Sequence, residues 1–461
     1  MKTKRSENRR AEKRNVKEHT CKTRLARKLL PLGLAALLAL SLAACGEGNG
    51  KLSAGTVKLK ADDGQESVYK ERPLGCPNGW EKCVRDFSLR LFREVYAMQN
   101  DEDAAEAAAG AANSAAQGGF VIAPASVLTA LLMAEEGADG ETAAQIQDVV
   151  GAEVFYAREA FEKSLNAKGE GTQLNAANSV WFRNDEDRLP VQPNFPAAMQ
   201  QLFGAEVFRA DFDEKTRKDI NQWCKNNTKG RIEKILDEPI SSDSMLYLIN
   251  ALTFDGKWQK PYGDHQVADA EFTCEDGSVQ TAEMMYDMEH TYLANELATG
   301  FVKPYEDGYS FVALLPNEGL SMADFVNGLT EDSFVELSAS KKDVPVETGM
   351  PKFKTESGAE LSAALQAMGI RDLFDADRAD LSLMATVNGG NLFVSRILHK
   401  AFLETDTEGT RAAAVTAAEL EAGSAAPTEM KRVILDRPFL YAIIEDETGI
   451  PIFMGTVESM A

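Results

Sequence analysis

Residues 409–426 read Gly-Thr-Arg-Ala-Ala-Ala-Val-Thr-Ala-Ala-Glu-Leu-Glu-Ala-Gly-Ser-Ala-Ala. At first sight this is an Ala-rich connection between two strand-like stretches. Sorted by parity, as for a strand whose side chains alternate between faces, it looks different. The even positions Thr410, Ala412, Ala414, Thr416, Ala418, Leu420 and Ala422 carry no charge and are mostly small. The odd positions hold Arg411, Glu419 and Glu421, every charge between Thr410 and Gly423. A segment that always stays in water has no reason to separate charge in this way. A segment that enters a sheet does, because one face must be admitted to a packed core and small residues meet little resistance there. On this stretch alone, a solvated loop and an insertable strand both fit.

Working outward, residues 391–405 and 438–457 are apolar and strand-like. Residues 175–182 and 244–254 also read as strands, and 273–315 holds several short ones. Apolar residues recur at helical spacing over 87–98, over 124–150 with a break near Gly137 to Gly140, over 219–236 and over 359–370. No repeat of 20–50 residues and no linker after about residue 85 interrupt the pattern. Mixed helices and hairpin-connected strands in one unbroken stretch predict a single large α+β domain over 85–461.

The chain has 461 residues, 44% hydrophobic and 26% charged, with a formal charge of −23. Such an excess of acid argues against nucleic acid as a partner, since phosphate recognition needs clustered Lys and Arg. The charge is unevenly placed. Residues 1–44 hold 12 Lys/Arg against 3 Asp/Glu, a net of +9, so the remainder carries −32. This basic start runs into an apolar stretch at 29–43, shorter than the roughly 20 residues that span a bilayer as a helix. A basic segment, an apolar segment and small residues before a cysteine are the pattern of an export signal. Leu42-Ala43-Ala44-Cys45 resembles the bacterial lipobox, in which the cysteine is lipidated and becomes the mature N-terminus; an ordinary signal peptide and an uncleaved anchor are the alternatives. The organisation predicted is a lipoprotein signal at 1–44, a tether at 45–84 and the globular domain at 85–461. The location expected is the outer face of a cell membrane, held by lipid, or free after secretion.

Six cysteines and four histidines are too few for a disulfide scaffold and offer little for a zinc site. Cys76-Pro-Asn-Gly-Trp-Glu-Lys-Cys83 places two cysteines around a turn; outside the cytoplasm they close a small loop or remain two free thiols. Cys224 and Cys274 lie in helical and strand-like contexts and read as buried and inert. The motifs GxSxG, HExxH, GxxxxGK[ST] and GxGxxG after a strand are absent. Their absence makes an enzyme less expected without excluding one, since catalytic triads are set by geometry, and no metal site is expected.

Several long stretches, in order, then identify a family. The run FVSRILHKAFLETDTEGTRAAAVTAA at 393–418, RPFLYAIIEDETGIPIFMGTV at 437–457 and NALTFDGKWQKP at 250–261 resemble the serpins, as do 220–232 and 361–381. The resemblance covers nearly all of 85–461. It implies one domain of three β-sheets and eight or nine helices, with an exposed reactive-centre loop. It implies a metastable native state. It implies that a protease cuts the loop, forms an acyl-enzyme, and is trapped when the loop inserts as a new strand of the main sheet, so that the chain is no enzyme, makes no turnover and needs no cofactor.

Residue by residue, Gly409 and Thr410 match the opening of the hinge, and Ala412, Ala413 and Ala414 its run of small residues. Counting 14 residues on from Gly409 puts the reactive bond at Gly423–Ser424, with Leu420 and Ala422 as alternatives if the register shifts. Asn250, His399 and Ser126 match the shutter below the sheet, and Trp258 matches the breach at its top. Ala123 stands where another shutter serine is usual, and Thr407 where an acid is common. The implied partner is a target serine protease, elastase-like or subtilisin-like for a small residue before the bond, and the implied state is a monomer. The alternative is a non-inhibitory serpin-fold binding protein on the cell surface.

Overall fold

Two neighbouring strands in the middle of the main sheet run parallel, and the rest of the fold is arranged around them. The computed structural model describes residues 52–60, 78–100, 118–165, 169–388, 390–410 and 430–460. In the main sheet, β1 (Val57–Leu59), β4 (Glu206–Ala210), β3 (Thr172–Arg183), β5 (Leu246–Lys257), β12 (Arg396–Thr405) and β11 (Phe353–Glu360) lie in that spatial order. β5 pairs antiparallel with β3, and β12 antiparallel with β11, but β5 and β12 pair parallel, Arg396 against Tyr247 through Phe402 against Thr253. The strand pattern of these residues was legible; β5 and β12 are buried on both faces, which is why they read as apolar runs rather than as alternations.

The second sheet runs β14 (Lys431–Ile434), β10 (Lys342–Pro351), β7 (Val279–Ala294), β8 (Ala298–Pro304), β9 (Tyr309–Pro316), β15 (Phe439–Glu445), β16 (Ile450–Val457) and β2 (Gly119–Ile122), with β6 (Val267–Thr273) also paired to β7. Two of the three sheets implied by the resemblance are thus hydrogen-bonded into one. The cause is the 16-residue strand β7, which pairs β6 along its first part, β10 from Met284 to Tyr292 and β8 at its end. β10 escaped sequence analysis because Pro345, Gly349 and Pro351 interrupt its alternation, and β11 because Phe353 is its one large apolar residue.

Ten α-helices occur among the described residues. They are α1 (Trp80–Asn100), α2 (Pro124–Gly137), α3 (Gly140–Val150), α4 (Ala152–Tyr156), α5 (Arg158–Ser164), α6 (Phe195–Phe203), α7 (Glu214–Asn227), α8 (Met322–Gly328), α9 (Glu331–Ala339) and α10 (Ser362–Met368). The excess over eight or nine arises where single residues, such as Ala157, separate short helices. α2 is buried along its whole length beneath the main sheet. α7 ends at 227 rather than near 236, since Lys229 and Gly230 both take positive φ and cannot continue a helix.

Two apolar cores flank the main sheet. The larger lies between α2 and the sheets; the smaller joins α7 to the opposite face through Ile220, Trp223 and Cys224. The expected tether is not uniform, because residues 52–60 dock on the main-sheet edge through β1, and helix α1 already begins at Trp80.

Candidate functional site

The chain leaves β12 at Thr405 and turns back on itself. The Asp406 carboxylate accepts from the amides of Glu408 and Gly409 at 2.9 and 3.2 Å, and Asp406 N–H donates to Gly409 O at 2.9 Å. The next two residues form β13 (Gly409–Thr410), antiparallel to β5, with Gly409 against Lys257 and Thr410 against Gly256. β3 already occupies the other side of β5 at Gly256, so β13 sits on the β12 side. That is the end of the parallel seam, just beyond its last pair, Phe402 and Thr253. The hinge has therefore entered the seam by two residues. Gly409 has φ +153°, and a Cβ there would overlap the Gly256 carbonyl, so this close approach requires glycine. Thr410 is 1% exposed and shares a 2.6 Å hydrogen bond with the Tyr305 hydroxyl. Ala412, Ala413, Ala414, Gly423 and Ser424 lie outside the described residues.

Trp258 clamps this turn. Its indole N–H donates to Asp406 O at 2.9 Å, and its backbone N–H to Glu408 O at 3.0 Å. The ring stacks on Tyr305 at 4.3 Å and 10°. Tyr262 N–H adds a bond to Thr407 O at 2.9 Å. Under the two aromatic rings lies Lys303, 1% exposed, its Nζ 4.2 Å from the Tyr262 centroid and 5.5 Å from that of Trp258. Its charge is met by Glu289 at 2.7 Å and Asp287 at 3.5 Å, and Asp287 also takes Lys260 at 2.7 Å. Burial raises the Glu289 carboxyl against the pull of Lys303; at Asp287 burial acts the same way, but Lys260 and Lys303 outweigh it and hold that carboxyl low. Lys303 was missed in the sequence, although a lone lysine inside the apolar run Phe301-Val302-Lys303-Pro304 was the available signal.

Lower in the seam, one row of the sheet is polar. Asn178 of β3 faces Asn250 of β5, and Asn250 faces His399 of β12. Asn250 Nδ2 donates to Asn178 Oδ1 at 2.5 Å, and Asn178 Nδ2 donates to Phe203 O at 3.3 Å. Asn250 Oδ1 accepts from Ser126 Oγ of α2 and lies 3.4 Å from His399 Nδ1. Ala123 N–H donates to His399 Nε2 at 3.1 Å, which places the ring proton on Nδ1, toward Asn250. Ser126, Asn250 and His399 are thus brought together. Asn178 was not foreseen, and it supplies a partner where Ala123 offers only its backbone. The Cys83 thiol is free and donates to Glu153 Oε2 at 3.6 Å; burial and the Glu153 charge raise its pKa. Its expected partner Cys76, and Cys45, lie outside the described residues, while Cys224 and Cys274 are buried and free.

The Serpin family profile, described as serine protease inhibitor, matches residues 84–460. The chain is a serpin. It is 32% identical to the leukocyte elastase inhibitor of Bos taurus over 359 residues, covering 74% of this chain and 93% of that protein. It is 30% identical to leukocyte elastase inhibitor A of Mus musculus over 362 residues, covering 75% and 94%. Among solved structures it resembles tengpin, a thermophilic serpin, in the native state, with 34% identity, a TM-score of 0.74 and coverage of 85% and 96%. The latent state of the same protein gives 0.68, with 32% identity and coverage of 84% and 99%.

Two outcomes follow from the site itself. A Gly409→Ala substitution expels the hinge from the seam, so amide exchange over 406–410 rises by roughly tenfold or more, and Trp258 emission changes as its carbonyl partners leave. The second concerns acid. Burial holds His399 near a pKa of about 3, against 6.5 when solvated. Below pH 6.5 an unfolded chain takes up a proton that the native state refuses. The stabilisation is complete above that pH and is lost as pH falls toward 3, with about 2 kcal/mol gone by pH 5. Urea unfolding at pH 7.5 and 5 measures the loss, and His399→Gln flattens it.

Proposed function

We propose that this serpin is an inhibitory member, trapping a serine protease of the elastase or subtilisin type by cleavage and insertion of the segment after Thr410. The observation that carries the proposal is the seam. A parallel pair is slightly less stable per residue than an antiparallel one, and a strand entering antiparallel between β5 and β12 replaces one parallel ladder with two antiparallel ladders. The hinge points into that seam in the required direction. The next residues, Arg411-Ala-Ala-Ala-Val-Thr-Ala-Ala418, offer small uncharged side chains on the face that shares Thr410's parity.

The chemistry on the protease side is ordinary acyl transfer. The protease serine Oγ attacks the Gly423 carbonyl carbon, the bond to Ser424 N breaks, and the new amine leaves with a proton. An ester joins the two proteins. Insertion then carries the ester away from the reactive pole before water can cleave it. The serpin undergoes one such event and no turnover. Small residues at Ala422 and Gly423 suit a shallow specificity pocket, in keeping with relatives named for leukocyte elastase; Leu420 in a shifted register suits a chymotrypsin-like enzyme. Export and lipidation at Cys45 complete the proposal, placing a monomeric inhibitor on the outer face of a membrane through a tether.

Mixing residues 45–461 with elastase gives an adduct that survives SDS, and a released peptide that begins at or near Ser424. Rapid cleavage without an adduct overturns inhibition. Nicking the loop raises the melting temperature by at least about 10 °C, several kcal/mol for a chain of this size; an unchanged value favours a non-inhibitory binding protein. Cys45→Ala abolishes incorporation of labelled fatty acid and leaves the adduct intact.

A further inference from the structure

A cavity that takes no part in the seam opens where four segments converge: the end of α1, the start of β2, the turn between β6 and β7, and the residues just after β16. Its volume is about 370 Å³, enough for a small organic molecule, and none of its lining residues belongs to β5, β12 or the hinge. Backbone bonds hold the walls in place. Glu458 N–H donates to Gly118 O at 2.8 Å, and Glu275 N–H donates to Glu458 O at 3.0 Å. One wall is aromatic. Tyr96 and Phe120 line the cavity, and both pack on Phe92, with ring centroids 6.2 and 5.6 Å from it.

The polar groups of this cavity lack partners in two independent ways. Glu275, Asp276 and Glu458 line it, and no lysine, arginine or histidine does among the described residues. Asp276 is satisfied locally, since its carboxylate accepts from Ser278 N–H at 2.8 Å and from Ser278 Oγ at 2.6 Å. Glu458 accepts from Thr456 Oγ1 at 2.7 Å and from the Tyr96 hydroxyl, both neutral donors. Burial raises its carboxyl, and the neighbouring Glu275 charge adds to the rise. Two carboxylates therefore share this space without a cation. Separately, Gln99 Nε2 is buried against the cavity and has no hydrogen-bond partner. A buried donor left unpaired is costly.

The carboxylates call for a positive charge. The aromatic wall favours an organic cation, whose ammonium and carbon skeleton both gain from ring contact. The Gln99 amide calls for an oxygen acceptor. A metal ion or a plain alkylamine would meet the first demand and leave the last unmet. We propose that the cavity binds a small hydroxylated amine, an amino sugar or amino alcohol, with its ammonium held by Glu458 and Glu275, its hydroxyl by Gln99 and its carbons against Tyr96 and Phe120. This binding does not depend on the inhibitory function. Because the occupant joins the end of α1 to the end of β16, it stabilises the fold by mass action.

The test titrates D-glucosamine into the full chain and follows the sugar protons by saturation-transfer NMR, with ethanolamine, glucose and N-acetylglucosamine alongside. Glucosamine is expected to saturate, and to bind at least about tenfold more tightly than glucose or N-acetylglucosamine, which lack the charge. The order of glucosamine and ethanolamine tells an amino sugar from an amino alcohol. The Glu275→Gln/Glu458→Gln variant loses at least about tenfold in affinity for both amines. A Gln99→Met variant loses several-fold for glucosamine but holds cyclohexylamine, which has no hydroxyl, as well as the unaltered chain does. Thermal melting of each variant establishes that it is folded. Equal binding of glucose and glucosamine, unchanged affinity in the folded double variant, or no saturable binding of either amine overturns the proposal.

Discussion

The parallel contact between β5 and β12 is the constraint on which the structure turns. Its seven pairs are the only parallel contact in the interior of the main sheet to have a strand end, the hinge, already lodged at its rim among the described residues. On either side of it, β3 with β5 and β11 with β12 are antiparallel and make long, well-registered ladders, while the other parallel contact, β3 with β4 from Ser179 to Arg183, lies toward the edge. The two halves are therefore each firmly built and meet at a weaker line. The parallel seam is the line along which such a sheet is least firmly joined, and what stands on it sets how well it is held closed.

What stands there is polar. Across the seam, Asn250 and His399 face each other with Ser126 below, and at its top Trp258, Tyr262 and Lys303 hold the returning chain. Buried polar groups stabilise little when satisfied and cost much when stripped of partners. A network of this kind makes the closed seam well defined rather than deep in energy. Hydrophobic packing across the same line would hold it more firmly and would also oppose an entering strand. The neutral His399 fits this picture, since a charge at that depth would demand a partner that neither Asn250 nor the Ala123 amide provides.

Much of this was legible in the sequence, for local reasons. The parity of charge after Thr410 depends only on the alternation of a strand, and the apolar runs of β5 and β12 follow from burial on both faces. Asn250, Trp258 and His399 could be matched because they sit inside long stretches that resemble one family. Asn178 and Lys303 could not, because their roles arise from register. Asn178 matters only because β3 pairs with β5 so that it lies opposite Asn250, and Lys303 only because β8 carries it beneath two rings supplied by the segment after β5. Residues 52–60 read as tether because their composition is polar and their partners, Asp219 and β4, lie some 150 residues away in the chain. Nothing local distinguishes a serine that solvates a linker from one that caps a buried carboxylate.

The hinge shows how little side chain is needed to set such a threshold. Gly409 passes over Gly256, and both positions are closed to a Cβ: at Gly409 by the Gly256 carbonyl, at Gly256 by the Phe254 ring and, at 3.1 Å, Tyr305 Cδ1. Two bare backbones crossing at this point let Tyr305 come close enough to bond Thr410, while its ring stacks on Trp258. The same aromatic pair thus touches the first buried hinge side chain and, through the Trp258 indole, the turn that delivers it. Removing bulk at the crossing admits the first two residues of the strand. The hydroxyl pair holds them there, where Ala412 and Ala414 stand next in line on the same parity.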